Sequence, residues 1–234
     1  STLAPAPTTV ASIPSGTDCN EATAIFPRMA GATPVVMESG LAGPAFDTLG
    51  VGVDGLVWST DARRVYTILS DNTLVEFDAS TAQRLRTLSL PAAGRGITIA
   101  PDGRTLFVST NSANIGLLIV NIETFSVSAN LRLTYSGNDL IPSSLVIDPS
   151  GNRLYVLASW SGTTWLGYVI DTSTLAVTGQ FPGGTSQGTL AITSDGRYAV
   201  LNHFFTHTES QIRIIDLSSL TQVGVLNMGV EQDI

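Results

Sequence analysis

Two short landmarks recur along the chain in step, and they constrain its fold more than any other feature. The first is a polar turn leading into an apolar run: STDARRVYTIL (59–69), APDGRTLFVST (100–110), DPSGNRLYVLAS (148–159) and TSDGRYAVLNH (193–203). Aligned on the turn residue, Ala62, Gly103, Gly151 and Gly196 stand 41, 48 and 45 positions apart. The second is an apolar run ending in Asp or Asn, with Thr or Ser three residues on: VEFDAST, LIVNIET, YVIDTST and RIIDLSS. Its anchors Asp78, Asn121, Asp171 and Asp216 are 43, 50 and 45 positions apart and track the first series. Two landmarks holding one period mean a tandem repeat of a single supersecondary unit.

Each unit carries four short apolar runs of strand-forming residues bounded by turn formers, as in SSLVID, LYVLAS, WLGYVID and AVTGQF of the third. Asp-Gly and Ser-Gly between the first two runs supply a residue free to take positive φ, which a tight hairpin needs. Asp, Asn, Thr and Ser between the last two can bond the backbone amides of their own turn. Four antiparallel strands per repeat make the blade of a β-propeller. The sequence therefore predicts an all-β propeller with four complete blades, at about residues 52–91, 94–135, 143–182 and 187–228.

The strings PDGRTLFV and IDTSTLAVTG resemble the YVTN family of β-propeller repeats. Leu154-Tyr155-Val156-Leu157 and Leu106-Phe107-Val108-Ser109-Thr110-Asn111 come nearest to the string that names the family. The resemblance covers roughly residues 52–228. It implies a secreted or surface-layer propeller of bacterial or archaeal type, related to the quinoprotein and lactonase propellers, in a ring of about seven blades. GVEQDI at 229–234 aligns with GRGITI at 94–99, so residues 52–234 read as four blades and the start of another. Residues 33–51 form a lead-in whose TPVVMES could add a closing strand. Residues 1–32, rich in Ser, Thr, Pro and Ala, read as a linker or processed N-terminus, which fits export.

Composition narrows the partners. Nineteen acidic residues against eleven Arg and no Lys, for a net charge of -8, argue against a nucleic-acid face. Absence of Lys removes Schiff-base chemistry and the phosphate-loop lysine. A single cysteine, Cys19, excludes an internal disulfide framework. No apolar run is long enough for a transmembrane helix. No catalytic elbow, haem-attachment, phosphate-loop or EF-hand motif occurs, and no cofactor is implied.

Function is expected on the propeller face whose loops vary: SDN (70–72), TNSANIG (110–116), SWSGTT (159–164) and HFFTHTES (203–210), with the connections PAAGRG (91–96), YSGNDLIP (135–142) and PGGTSQG (182–188). Trp160 and Trp165 flank SGTT and could form an aromatic ligand platform, with Tyr135, Asn138 and Asp139 adjacent. For Trp165, at a strand start, the plainer reading is packing between blades. Phe204 and Phe205 offer an apolar partner contact or cover a blade edge. Arg95, flanked by glycines, could grip a carboxylate or phosphate near the channel, or form a structural ion pair. His203 and His207, with Glu209 as a third ligand, could converge on a metal; the plainer reading is surface histidines. The leading expectation is an exported, non-enzymatic module that binds a protein or glycan at the cell surface. The alternatives are a lactonase-like or quinoprotein-like enzyme with its site at the central channel, and a self-assembling surface-layer subunit.

Overall fold

The computed structural model describes residues 53–160, 164–184, 188–205 and 209–227, all within one compact unit, Gly43–Ile234. The segments 1–32 and 33–51 lie outside the described residues. Every described element is a strand. Blade 1 comprises β1 (Val53–Trp58), β2 (Arg64–Leu69), β3 (Thr73–Asp78) and β4 (Arg84–Ser89). Blade 2 comprises β5 (Gly94–Ile99), β6 (Thr105–Thr110), β7 (Leu117–Asn121) and β8 (Ser126–Leu131). A short strand β9 (Leu133–Tyr135) precedes blade 3, made of β10 (Asn138–Ile147), β11 (Arg153–Trp160), β12 (Thr164–Asp171) and β13 (Val177–Gly184). Blade 4 is β14 (Gly188–Ile192), β15 (Tyr198–Phe205), β16 (Glu209–Asp216) and β17 (Thr221–Asn227). Pairing within each sheet is antiparallel and in chain order, as expected for propeller blades.

The first strands β1, β5, β10 and β14 neighbour one another in series, while the fourth strands are largely exposed. In blades 2 and 3 the second and third strands are covered on both faces by adjacent blades, which is why they read as continuous apolar runs rather than as alternation. Three apolar clusters fill the junctions. Tyr66, Ile68, Leu106 and Val108 join blades 1 and 2; Phe107, Ile119, Val156 and Ile170 join blades 2 and 3; Tyr155, Val169, Leu201 and Ile215 join blades 3 and 4.

Both repeated turns are closed by side chains. In the first, Asp61, Asp102 and Asp195 accept the amide two residues on, from Arg63, Arg104 and Arg197, at 2.9–3.0 Å. The turn residues Ala62, Gly103, Gly151 and Gly196 all take positive φ, from 57° to 78°. Each later turn also seats on the one before it. A Cβ added at Gly151 would stand 2.8 Å from Pro101, one at Gly103 would stand 2.9 Å from Thr60, and one at Gly196 would meet Pro149 at 3.6 Å. In the second turn, the anchors accept amides of the following two or three residues: Asp78 from Ser80 and Thr81, Asn121 from Thr124, Asp171 from Ser173 and Thr174, and Asp216 from Ser218 and Ser219.

Four residues past each anchor the chain again turns left-handed, at Ala82, Phe125, Leu175 and Leu220, with φ of 49–57°. Such backbone costs a non-glycine residue about 1–2 kcal/mol. Packing on the preceding blade offsets it. Leu220 lies against Gly179 of blade 3, and Leu175 joins the cluster that holds Ala129 of blade 2. Phe125 lies under Arg86 of blade 1, with the guanidinium 4.6 Å from the ring centre.

The junction of blades 1 and 2 also holds a buried charge. Glu76 pairs with Arg86 across β3 and β4, and Arg64 lies 3.6 Å from it on the other side. Tyr66 donates to Glu76 at 3.4 Å, and Arg86 donates onward to the Glu123 carbonyl of blade 2 at 3.1 Å.

Two stretches differ from the sequence expectation. Residues 135–142 were expected to be a plain connection, but Leu133–Tyr135 and Asn138–Leu140 pair as a hairpin. Ser136 and Gly137 both take positive φ, 49° and 80°, the two-residue turn that suits the twist of a hairpin. The stretch from 203 was expected to be a loop, yet His203–Phe205 continue β15 and pair with Glu209–Gln211 of β16.

Candidate functional site

The geometry that stands out is a cleft of about 370 Å³ between blades 3 and 4, lined by Trp165, Leu166, Gln180, Phe181, Pro182, Gly184 and Arg213. Trp165 enters from the start of β12, opposite Gly184 of β13. Side chains alternate along β12, so Trp165 shares the face of Val169 that is turned to blade 4. Phe181 stands over Gly167, its cross-strand partner, and forms the cleft's apolar wall. Arg213 comes from β16, where it pairs with Leu201 and shares the face of Ile215.

Arg213 occupies the first position of the landmark RIIDLSS. The other three repeats place Val75, Leu118 and Tyr168 there, and all three are buried. One blade has thus exchanged a core residue for a guanidinium. Among the described residues, two buried side-chain polar atoms have no hydrogen-bond partner, Arg213 Nε and Trp165 Nε1, and both side chains line this cleft. Trp165 is 5% exposed. Both atoms can only donate, and among the described residues no carboxylate lines the cleft. Sequence reasoning singled out Trp165 and missed Arg213, although comparison of the four landmark strings displays it.

The two tryptophans point to opposite faces of the β11–β12 hairpin. Trp160 falls on the side of Ala158, toward blade 2, and is 50% exposed. The β9–β10 hairpin runs past the end of β11, beyond the last pair of Ile141 with Ser159. Tyr135, 44% exposed, and Asn138 therefore stand at the same end of blade 3 as Trp160. Asp139 is held by Arg132 through contacts of 2.8 and 3.0 Å. Tyr168 donates to the Thr134 carbonyl at 3.2 Å and ties the hairpin to β12.

Arg95 is the extra residue of a bulge in β5, between the pairs Gly94–Thr110 and Gly96–Ser109, and it is exposed. His203, Phe204 and Phe205 lie in β15 and Glu209 opens β16, whereas His207 lies outside the described residues. Among the described residues, no three His, Cys, Asp or Glu side chains gather at one point. Among the described residues there is no helix long and apolar enough to cross a membrane.

Electrostatics single out the turns rather than a catalytic group. The Ser173 hydroxyl, with the Thr174 amide second, lowers the Asp171 carboxyl to about 2. Asp61, Asp78, Asp195 and Asp216 are lowered in the same way, chiefly by the hydroxyls of Ser59, Ser80, Thr193 and Ser218. Burial, with the Glu76 charge second, pushes the Tyr66 hydroxyl up to about 12. All of these groups serve the fold.

The comparisons with known proteins agree on architecture. Hydrazine synthase of Kuenenia stuttgartiensis matches with a TM-score of 0.68 at 18% identity, over 76% of this chain and 49% of that one. The β-propeller domain of Myceliophteria thermophila Cps50 (Swd1) matches with a TM-score of 0.54 at 16% identity, over 70% of this chain and 52% of that one. This chain is a β-propeller. It spans about half the length of these solved structures. A pre-rRNA-processing protein, crb3/ipi3 of Schizosaccharomyces pombe, is 32% identical over 98 residues, which is 38% of this chain and 22% of that protein. No protein-family model matches, so the likeness to YVTN repeats stands on the repeat strings alone.

Proposed function

We propose that this propeller is a non-enzymatic, YVTN-type module that binds a protein partner at the loop-bearing end of blade 3. The observation that carries this reading is the pair of unsatisfied donors that line the cleft of blades 3 and 4, one of them, Arg213, at a position that other repeats fill with core residues. At the same end of blade 3, Trp160 on its other face and Tyr135 present two exposed aromatic rings on strands, the residue types that anchor protein contacts. A sugar's hydroxyls ask for acceptors as well as donors, and among the described lining residues Gln180 is the one side chain that accepts, which favours a protein over a glycan. Export remains part of the proposal, resting on the Ser/Thr/Pro/Ala-rich composition of residues 1–32.

The test is to pan a displayed library of protein fragments against the wild-type chain, then against Trp160→Ala and Tyr135→Ala. Enriched fragments are expected to lose at least about ten-fold in affinity for one variant or both, with circular dichroism unchanged because both residues are exposed. Enrichment of no fragment, or full affinity for both variants, would overturn the assignment of function to this end of blade 3.

A further inference from the structure

We infer that the cleft between blades 3 and 4 is a carboxylate-binding subsite, taking an Asp or Glu side chain that lies beside an apolar residue of a protein partner. This deepens the protein-binding reading and rests on it. A guanidinium stays charged at any pH the fold survives, and burying one edge without an acceptor destabilises the protein. Val75 and Leu118 show that the repeat has an apolar solution at this position. Arg213 keeps its Nε buried and unpaired instead, and it lines the same cleft as Trp165, whose indole N–H is also unpaired.

Arg213 and Trp165 both line the cleft with a donor that lacks a partner, and among the described residues no carboxylate does, so a group that only accepts suits it. The Nε edge of a guanidinium pairs side-on with the two oxygens of a carboxylate. The rest of the wall comes from Leu166, Phe181 and Pro182, which suits an apolar neighbour of the acidic residue. At about 370 Å³ the cleft admits a side-chain-sized anchor.

Fragments enriched by the panning described above are expected to share an Asp or Glu next to an apolar residue. Synthetic peptides copied from them are then titrated against wild-type protein, Arg213→Leu and Arg213→Lys. Leu restores the side chain used by blade 2, so that variant should melt no lower than wild type; Lys keeps the charge but has no Nε. Each variant should weaken binding at least about ten-fold, as should replacing the peptide's acidic residue by its amide, and the two losses should not add. Enriched fragments without acidic bias, or full affinity in Arg213→Leu, would overturn this inference and leave the protein-binding reading standing. Sodium benzoate bound as tightly as the peptides would assign the cleft to a free small carboxylate and overturn it too, as would a phosphopeptide that binds better than its acidic counterpart. Enrichment of no fragment at all would sink the parent reading and this inference with it.

Discussion

Glu76 and Arg86 face each other across β3 and β4 where the other blades place Ile119 with Ala129, Val169 with Gly179 and Ile214 with Gly224. The polar pair is therefore an alternative filling of one position in the repeat. Glu76 is buried, and Arg86, although over a third exposed, reaches into blade 2 through the Glu123 carbonyl and the Phe125 ring. Removing one partner strands the other, while removing both restores the apolar solution. Arg86→Ala alone should destabilise by about 1–3 kcal/mol, given the partial solvent screening of the pair. Glu76→Ile combined with Arg86→Ala should come within about 1 kcal/mol of wild type. Urea unfolding of both proteins checks this, and a double variant weaker than the single would contradict it.

At the level of the element, the turn between third and fourth strands is also the peg that locks a blade to its predecessor. Leu220 sits at φ 57° and lies against Gly179, so its side chain stabilises the junction while its backbone strains. Leu220→Ala and Leu220→Gly lose the same packing, but only the glycine releases the strain. Leu220→Gly should therefore be the more stable of the two by about 1 kcal/mol, the reverse of the usual order of these residues. The urea midpoints of the two variants decide it; an alanine variant at least as stable would refute the peg. Much of this level was legible in the sequence because turns are local: Asp-Gly, Ser-Gly and the Asp-x-x-Thr strings specify their own hydrogen bonds. The hairpin of β9 and β10 was not legible, since its three-residue arm is short and has no counterpart in other repeats. The extension of β15 through Phe205 was hidden for a similar reason. Its eight residues outlast the six of β2 and β6 only because β16 is there to pair with them.

Over the whole molecule, the depressed aspartates are distributed through blades 1, 3 and 4, so acid acts on three of the four described blades together. Their folded values lie below the unfolded value of about 3.9, so the stability they contribute is complete above that pH. It is lost as pH falls through the folded values, which for Asp171 means down to about 2. Unfolding free energy should thus hold level from about pH 7 to pH 5 and decline below about pH 4. Asn121 shows that an amide serves the same turn in blade 2. A variant carrying Asp171→Asn and Asp216→Asn should accordingly fold and decline less steeply, as measured by urea unfolding at stepped pH; an unchanged slope would refute the assignment. The candidate site was half legible: Trp165 drew notice as an aromatic, but the face it occupies depends on register, and Arg213 emerges only when repeats are compared with one another. The ladder of first turns, where Gly103, Gly151 and Gly196 rest on Thr60, Pro101 and Pro149, makes the two ends of the propeller unequal in what they tolerate. Lengthening one of those turns would displace the neighbouring blade as well as its own. At the opposite end β11, β12, β15 and β16 have already grown to eight residues, and an extra hairpin has been accepted, without change to the blade pattern. Inherited insertions, and any recognition loop grafted by design, should therefore collect at that end.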